Sequence, residues 1–411
     1  MEQRINKQST ESRVQNPESN PPSAAIRHPI RPGLSCLLEE RSDILKGRSI
    51  GLITNITGVD EKERRNIDIL WARDDWKLTA LFSPEHGLKS DVLDGIPVDS
   101  AFDPSKRLPV YSLYGDHKQP TPEMLSGIDL LIFDIQDIGV RYYTYITTLG
   151  LAMEAAAREG IPFVVCDRPN PITGKRVEGN ILDLKFRSFV GYYPLPIRYG
   201  MSIGELALLF NQKYEIGAEL EVVKVEGWKR EMWFDETSLP WIPPSPDMPG
   251  LNTAILYPGT CLFEGTNVSE GRGTSTPFEL IGAPWLDGKR LAEGLNSLAL
   301  PGVRFRPAFF RPTRSKYTEV NCSGVKIVVL DRESIDSIRT GLNILALIKK
   351  DYETKFSWSK REGTYFFDRL IGTDQVRQQL EAGCPVETIM AFWLDEKSRF
   401  LMTRRTYLLY D

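Results

Sequence analysis

In the stretch Leu130-Leu-Ile-Phe-Asp-Ile-Gln-Asp-Ile-Gly-Val-Arg-Tyr-Tyr-Thr-Tyr145, the apolar run Leu130 to Phe133 is followed at once by Asp134, Gln136 and Asp137, and then by a helical pattern from about Tyr142 to Glu159. A short apolar run that gives way to polar residues and then to a helix reads as a buried parallel strand and its crossover. The same order recurs on either side. Ser49 to Thr54, Leu78 to Phe82 and Phe163 to Cys166 are further apolar runs, with helix candidates near Glu61 to Ala72 and from Pro122 to Leu125 between them. This alternation predicts an α/β domain with a parallel sheet. Ser202-Ile-Gly-Glu205 reads as a capping box that opens a helix through Leu206, Leu209 and Phe210.

The pattern breaks in the tryptophan- and proline-rich segment Trp241-Ile-Pro-Pro-Ser-Pro-Asp-Met-Pro-Gly250, where a domain boundary is expected. The chain then divides into a polar, proline-containing tail (1–33), a sheet domain (34–245) and a C-terminal domain (246–411). A strand at Val325 to Leu330 among helices at Ser334 to Ile348, Asp374 to Ala382 and Pro385 to Phe392 gives the last an α+β character.

Composition narrows the function. A length of 411 residues, 41% of them hydrophobic, suffices for two cores. A net charge of −4 supplies no basic field for a nucleic-acid backbone. Five cysteines without a Cys-x-x-Cys pair, and three histidines, argue against a disulfide framework or a zinc cluster, so no metal is expected. No run approaches the ~18 apolar residues of a membrane span. The tail lacks the apolar core of a secretory signal, so a cytoplasmic protein is expected.

The strand ends carry the chemistry: Asn55, then Ser83-Pro84-Glu85-His86-Gly87, then Asp134 to Asp137, then Asp167-Arg168-Pro169-Asn170. In an open parallel sheet these ends share one edge, outside which ligands bind. Glu85 is held in a short turn as a candidate catalytic carboxylate, although such a residue can equally cap the turn, with His86 beside it. Asp134, Gln136 and Asp137 can grip sugar hydroxyls, and the following Arg141 and Tyr143 add a cation and a ring that can stack on a pyranose. The competing reading makes Asp137 a helix cap and the tyrosines core. Glu154 flanks the stripe Ile146, Leu149, Met153 and Ala156, where partial desolvation would suit a general acid, but helical geometry alone favours a surface ion pair with Arg158. Arg168 and Asn170 form a rigid polar turn whose arginine suits an acid-bearing sugar. Glu178 is a loop carboxylate that is ordinarily just solvated. Phe263 to Thr274 gathers Glu264, Asn267, Glu270 and Arg272 among glycines, either as a ligand-facing loop or as a glycine-rich hairpin; it lacks the Gly-Lys-Ser/Thr ending of a phosphate loop.

Taken together, Phe82-Ser-Pro-Glu-His-Gly87, the Phe133 to Tyr145 stretch, Asp167-Arg-Pro-Asn-Pro171, Pro258-Gly-Thr-Cys-Leu-Phe-Glu-Gly-Thr-Asn267 and Ser269-Glu-Gly-Arg-Gly-Thr274 resemble the NamZ-type exo-β-N-acetylmuramidases, from about Gly33 to Tyr410. The resemblance implies a Rossmann-like domain joined to a smaller α+β domain, with a cleft between them that takes a terminal muramic acid residue and needs no cofactor. It makes Glu85 the principal catalytic carboxylate and Glu154, in a Met-Glu-Ala match, a credible second one. The expected reaction releases N-acetylmuramic acid from the non-reducing end of peptidoglycan-derived disaccharides or glycan fragments. Glu85 would protonate the leaving oxygen, and Glu154, Asp137, Glu264 or Glu270 would act as base or nucleophile. Arg168 is expected at the lactyl carboxylate. One departure is Arg198-Tyr199-Gly-Met201, where a histidine is expected in place of Tyr199. Two other functions fit such a cleft: non-catalytic binding of cell-wall sugars, and nucleotide-sugar transfer, against which the missing phosphate-cradling loop argues.

Overall fold

The computed structural model describes residues 29–411. After helix α1 (Gly33–Glu40), strand β1 (Ser49–Thr54) is buried at every position but its first, as a strand covered on both faces must be. Helix α2 (Asn66–Trp71) begins later than the charged pattern from Glu61 suggests, because the Asp60 carboxylate accepts from the Lys62 and Arg64 amides and closes a turn there. There follow β2 (Lys77–Ser83), β3 (Ala101–Asp103), β4 (Leu108–Ser112), α3 (Pro122–Leu125), β5 (Leu130–Asp134), α4 (Tyr145–Glu159) and β6 (Phe163–Cys166). A small antiparallel hairpin, β7 (Glu178–Ile181) and β8 (Pro196–Arg198), precedes α5 (Ile203–Lys213) and β9 (Leu220–Val223). The expected capping box is present at α5, with both the Ser202 and the Glu205 bonds made.

These strands form a seven-stranded sheet in the order β3-β4-β2-β1-β5-β6-β9, parallel throughout except for the antiparallel edge strand β3. Chain order runs outward in one direction from β1 and then restarts beside it at β5, so β1 and β5 flank the topological switch point. Thr54 and Asp134 are level across that pair, and the polar segments after them leave the sheet together.

The second part comprises α6 (Leu251–Thr260), β10 (Leu280–Ala283), α7 (Gly288–Ser297), β11 (Val303–Phe310), β12 (Cys322–Val329) and α8 (Ser337–Asp351), then the hairpin β13 (Lys360–Arg361) and β14 (Thr364–Tyr365), and helices α9 (Phe366–Ile371), α10 (Gln375–Glu381), α11 (Val386–Ala391) and α12 (Leu394–Arg405). Its sheet is antiparallel, β10-β12-β11. Helices α6 and α8 touch backbone to backbone, and a Cβ on Gly259 would lie 1.7 Å from the Ser337 carbonyl oxygen, which only glycine avoids. The architecture is α/β with a smaller α+β domain. One apolar cluster runs from Ile53 and Phe133 in the large sheet to Val325 and Leu345 in the second part.

Residues 1–28 of the expected tail lie outside the described residues. Structure begins before position 34, however: Ile30 is buried against Val225 and Trp228, and Arg31 pairs with Glu226 through both backbone and side chain.

Candidate active site

A cleft of about 880 Å³ opens at the carboxyl edge of the large sheet, walled on the far side by the second domain. Glu85 enters it from the turn after β2, which is closed by a bond from the Gly87 amide to the Pro84 carbonyl at 3.0 Å. The turn is tight enough to force His86, a residue with a Cβ, to φ +71°. Its Nδ1 lies 2.7 Å from the Val92 carbonyl. A carbonyl only accepts, so Nδ1 carries the proton and the tautomer is fixed.

Glu85 is buried, and both its oxygens are engaged. Oε2 accepts from the Thr144 hydroxyl at 2.6 Å and Oε1 accepts from the Gly95 amide at 3.2 Å, and the Tyr114 phenol lies near enough to feel this carboxylate's charge. Burial, reinforced by the Glu85 charge, pushes the Tyr114 phenol well up, so it stays protonated. Helix α4 begins at Tyr145 rather than at Tyr142, which leaves Thr144 outside the helix and facing Glu85.

The opposite wall is organised by Arg272. Its guanidinium pairs with Asp247 at 2.5 Å, Glu264 at 2.8 Å, Asp94 at 3.0 Å and Glu270 at 3.5 Å. Burial alone would lower Arg272, but Glu264, Asp94, Asp247 and Glu270 together raise it well above its ordinary range. Asp247 also takes two bonds from Arg314; burial pushes its carboxyl up, but the two arginines outweigh that and hold it below the usual range. Glu264 lies on the cleft surface with the Cys261 thiol 3.4 Å away. Asp94 belongs to the loop that also supplies Gly95, so one segment touches both Glu85 and Arg272 across the opening.

Of the residues singled out in the sequence, the cleft brings together Glu85, His86, Tyr143, Glu264 and Arg272. The others are placed elsewhere. Asp134 and Arg168 form a buried ion pair at 2.6 Å, completed by Asn66 and by the Val59 carbonyl, so this guanidinium is already committed at the base of the sheet. Gln136 donates to the carbonyls of Asp137 and Pro169, and Asn170 to that of Met201. Arg141 is buried among four carbonyls, those of Asn180, Leu195, Leu370 and Ile371. Asn267 bridges the backbone of Lys355 and Ser357, and Glu270 pairs with Lys316 at 2.9 Å. Glu178 pairs with Arg198 at 2.9 Å. Glu154 accepts from the Tyr193 phenol at 2.8 Å and faces a separate shallow hollow with Arg158 and Tyr214, which does not share its lining with the cleft. Asp137 accepts from the Gly139 amide and from the Tyr199 phenol; burial outweighs these bonds and pushes its carboxyl up to about 6. Tyr199, the departure noted at that position, thus serves as a buried donor to Asp137.

Sequence reasoning passed over Thr144, Tyr114, Asp94 and Asp247. Thr144 stood inside the quoted stretch but was absorbed into the helical pattern. Asp247 stood in the proline-rich segment, where Ser245-Pro-Asp247 was read as punctuation between domains.

Fold and cleft together define a two-domain α/β enzyme whose acids converge from opposing walls. The chain belongs to the NamZ exo-β-N-acetylmuramidase family: it matches the model described as "Exo-beta-N-acetylmuramidase NamZ, N-terminal" over residues 50–252 and its C-terminal counterpart over 255–410. It is 49% identical over 381 residues to the peptidoglycan beta-N-acetylmuramidase NamZ of Bacillus subtilis (strain 168), covering 93% of this chain and 91% of that protein. Two crystal structures of DUF1343 family proteins from Bacteroides fragilis NCTC 9343 share the fold. One has a TM-score of 0.88 at 38% identity, covering 94% of this chain and all of the other. The second has a TM-score of 0.73 at 29% identity, covering 93% and 99%. Among the described residues, no helix is long and apolar enough to cross a membrane.

Proposed function

We propose that this chain hydrolyses the glycosidic bond that joins a terminal N-acetylmuramic acid to peptidoglycan-derived disaccharides or glycan fragments, using Glu85 and Glu264 as the paired carboxylates. The observation that carries this reading is the placement of Glu85, fixed by the donors Thr144 and Gly95 on one wall of an 880 Å³ cleft whose other wall presents Glu264. The hydroxyl of Thr144 can accept as well as donate, so Glu85 keeps a partner in either protonation state, as a group that gives and regains a proton requires. Glu264 has the Arg272 guanidinium as countercharge and takes the base or nucleophile role. It is the second carboxylate because Glu154, Asp137 and Glu270 are engaged away from the cleft surface. The Bacillus subtilis relative, a peptidoglycan beta-N-acetylmuramidase by name, supports the same substrate class. A cytoplasmic setting belongs to the proposal and is checked by cell fractionation.

The test is incubation with a muramic-acid-terminated disaccharide, followed by mass analysis and by NMR of the first anomer formed. Free N-acetylmuramic acid is the expected product. Stoichiometric binding without product would establish a binding protein instead.

A further inference from the structure

N-acetylmuramic acid differs from N-acetylglucosamine by its lactyl group, so an enzyme that selects it needs a cation for that carboxylate. Arg168 is committed to Asp134, Arg272 to four carboxylates, and Arg369 to Glu362 at 3.1 Å. The cleft-lining cations that pair with no carboxylate among the described residues are Lys118, Lys185, Arg187 and Arg361, and of these only the two arginines carry the fork that takes a carboxylate bidentately. Arg187 spends its Nε on the Tyr192 carbonyl and lies on the Tyr192 ring, 3.9 Å from its centroid. Arg361 is placed differently. It sits at the end of β13, its guanidinium carbon 3.6 Å from the centroid of the Phe366 ring, and the adjacent Glu362 is drawn off by Arg369. It shares the cleft wall with Tyr114 and Glu85, and its charge bears on the Tyr114 phenol. A guanidinium seated over a ring spends none of its N–H donors on an acceptor, and its fork remains for bidentate contact with a carboxylate.

We propose that Arg361 reads the lactyl carboxylate of the terminal sugar and thereby sets the specificity of the cleft for muramic acid, an inference that rests on the muramidase reading above. The second domain then contributes selectivity, while the sheet domain supplies Glu85.

The experiment compares a chromogenic muramide carrying the free lactyl acid with its lactamide, using the full chain and its Arg361→Ala, Arg361→Gln and Arg361→Lys variants. The wild type is expected to prefer the acid. Arg361→Ala and Arg361→Gln should raise KM for the acid about ten- to hundredfold, with kcat little changed and the lactamide turned over as by the wild type. Arg361→Lys should recover part of the loss, since it keeps the charge without the fork. Equal kinetics of wild type and Arg361→Ala on the acid, or an equal loss on both substrates, would overturn the assignment while leaving the muramidase reading intact. Failure of the wild type to release sugar from either substrate would overturn both.

Discussion

Glu85 takes its position from two residues outside its own turn, Thr144 at the mouth of α4 and Gly95 in the bridging loop. Replacing Glu85 by glutamine keeps the size of the side chain, with the amide oxygen able to accept from Gly95 and the NH2 to donate to the Thr144 hydroxyl, but removes the transferable proton. Turnover should fall by about 10²–10⁴-fold, with an unchanged melting temperature. Substantial turnover in that variant would take Glu85 out of the mechanism. Asp137 makes a different case, because its carboxyl is raised to about 6 by burial in spite of its donors. An acid whose folded pKa lies above its unfolded value binds more protons when folded. Its contribution is therefore fully present below the ordinary aspartate value of 3.8 and is lost as pH rises through about 6. Asp167 behaves alike, also raised to about 6 by burial against the bonds from Ser202, Tyr410 and Gly204. Calorimetry at pH 4.5 and pH 7 should show the wild type losing more stability across this interval than Asp137→Asn does, both pH values being about one unit from the nearer titration limit. Identical pH dependence in the two proteins would count against a buried, titrating Asp137.

Between elements, the buried guanidinium of Arg141 ties the carbonyls of Leu370 and Ile371, in the last turn of α9, to those of Asn180 and Leu195 in the β7–β8 region. Burial lowers this arginine to about 10, so it remains charged at neutral pH with carbonyl dipoles as its only polar surroundings in the bonds described. Arg141→Met leaves the Leu195 carbonyl with the Leu182 amide and the Ile371 carbonyl with the Asn180 side chain, but takes the donor from those of Asn180 and Leu370, and should cost at least about 2 kcal/mol, read from the urea midpoint; a loss below about 1 kcal/mol would mean that water replaces the guanidinium. The elements legible in sequence were those whose signals are local. Strands β1, β5 and β6 are continuous apolar runs, and the α5 box is a short capping pattern. Helix α6 was missed because it runs through Pro258 and Gly259, which read as a turn, and β11 because Arg304 and Arg306 alternate with apolar residues until Pro307 breaks the pattern. For the site, the turn after β2 identified Glu85 and His86. Asp134 and Arg168 misled for a physical reason: charged groups at neighbouring strand ends deep in the sheet neutralise one another more readily than they wait for a ligand. Glu154 stood out by the family resemblance and not by its helical geometry, and its neighbours across space are the phenols of Tyr192 and Tyr193, which no spacing rule reveals.

At the scale of the whole molecule, the two domains are joined at the cleft and again behind it. Behind it, the C-terminal segment returns to the sheet domain: the Tyr410 phenol donates to Asp167 at 2.5 Å, and the Leu409 amide to Glu205 at 2.7 Å. At the cleft, Arg272 is the junction, since its ion pair with Asp94 reaches the first domain while those with Glu264 and Glu270 belong to the second. If Arg272 is replaced by leucine, Asp247 keeps Arg314 and Glu270 keeps Lys316, so the uncompensated charge falls mainly on Glu264 and Asp94. Glu264 is the more buried of the two, with 11% side-chain exposure against 35% for Asp94, and bears most of the cost. Arg272→Leu should therefore fold but lose about 3–5 kcal/mol, with turnover falling further than the lost stability explains, because the carboxylate opposite Glu85 is no longer held. Arg272→Lys supplies one point charge where a fork contacts several acids, so it should restore more of the stability than of the turnover. Urea unfolding and kcat measured on both variants separate these effects. Wild-type turnover in Arg272→Leu would show that the two walls of the cleft keep their register without this arginine.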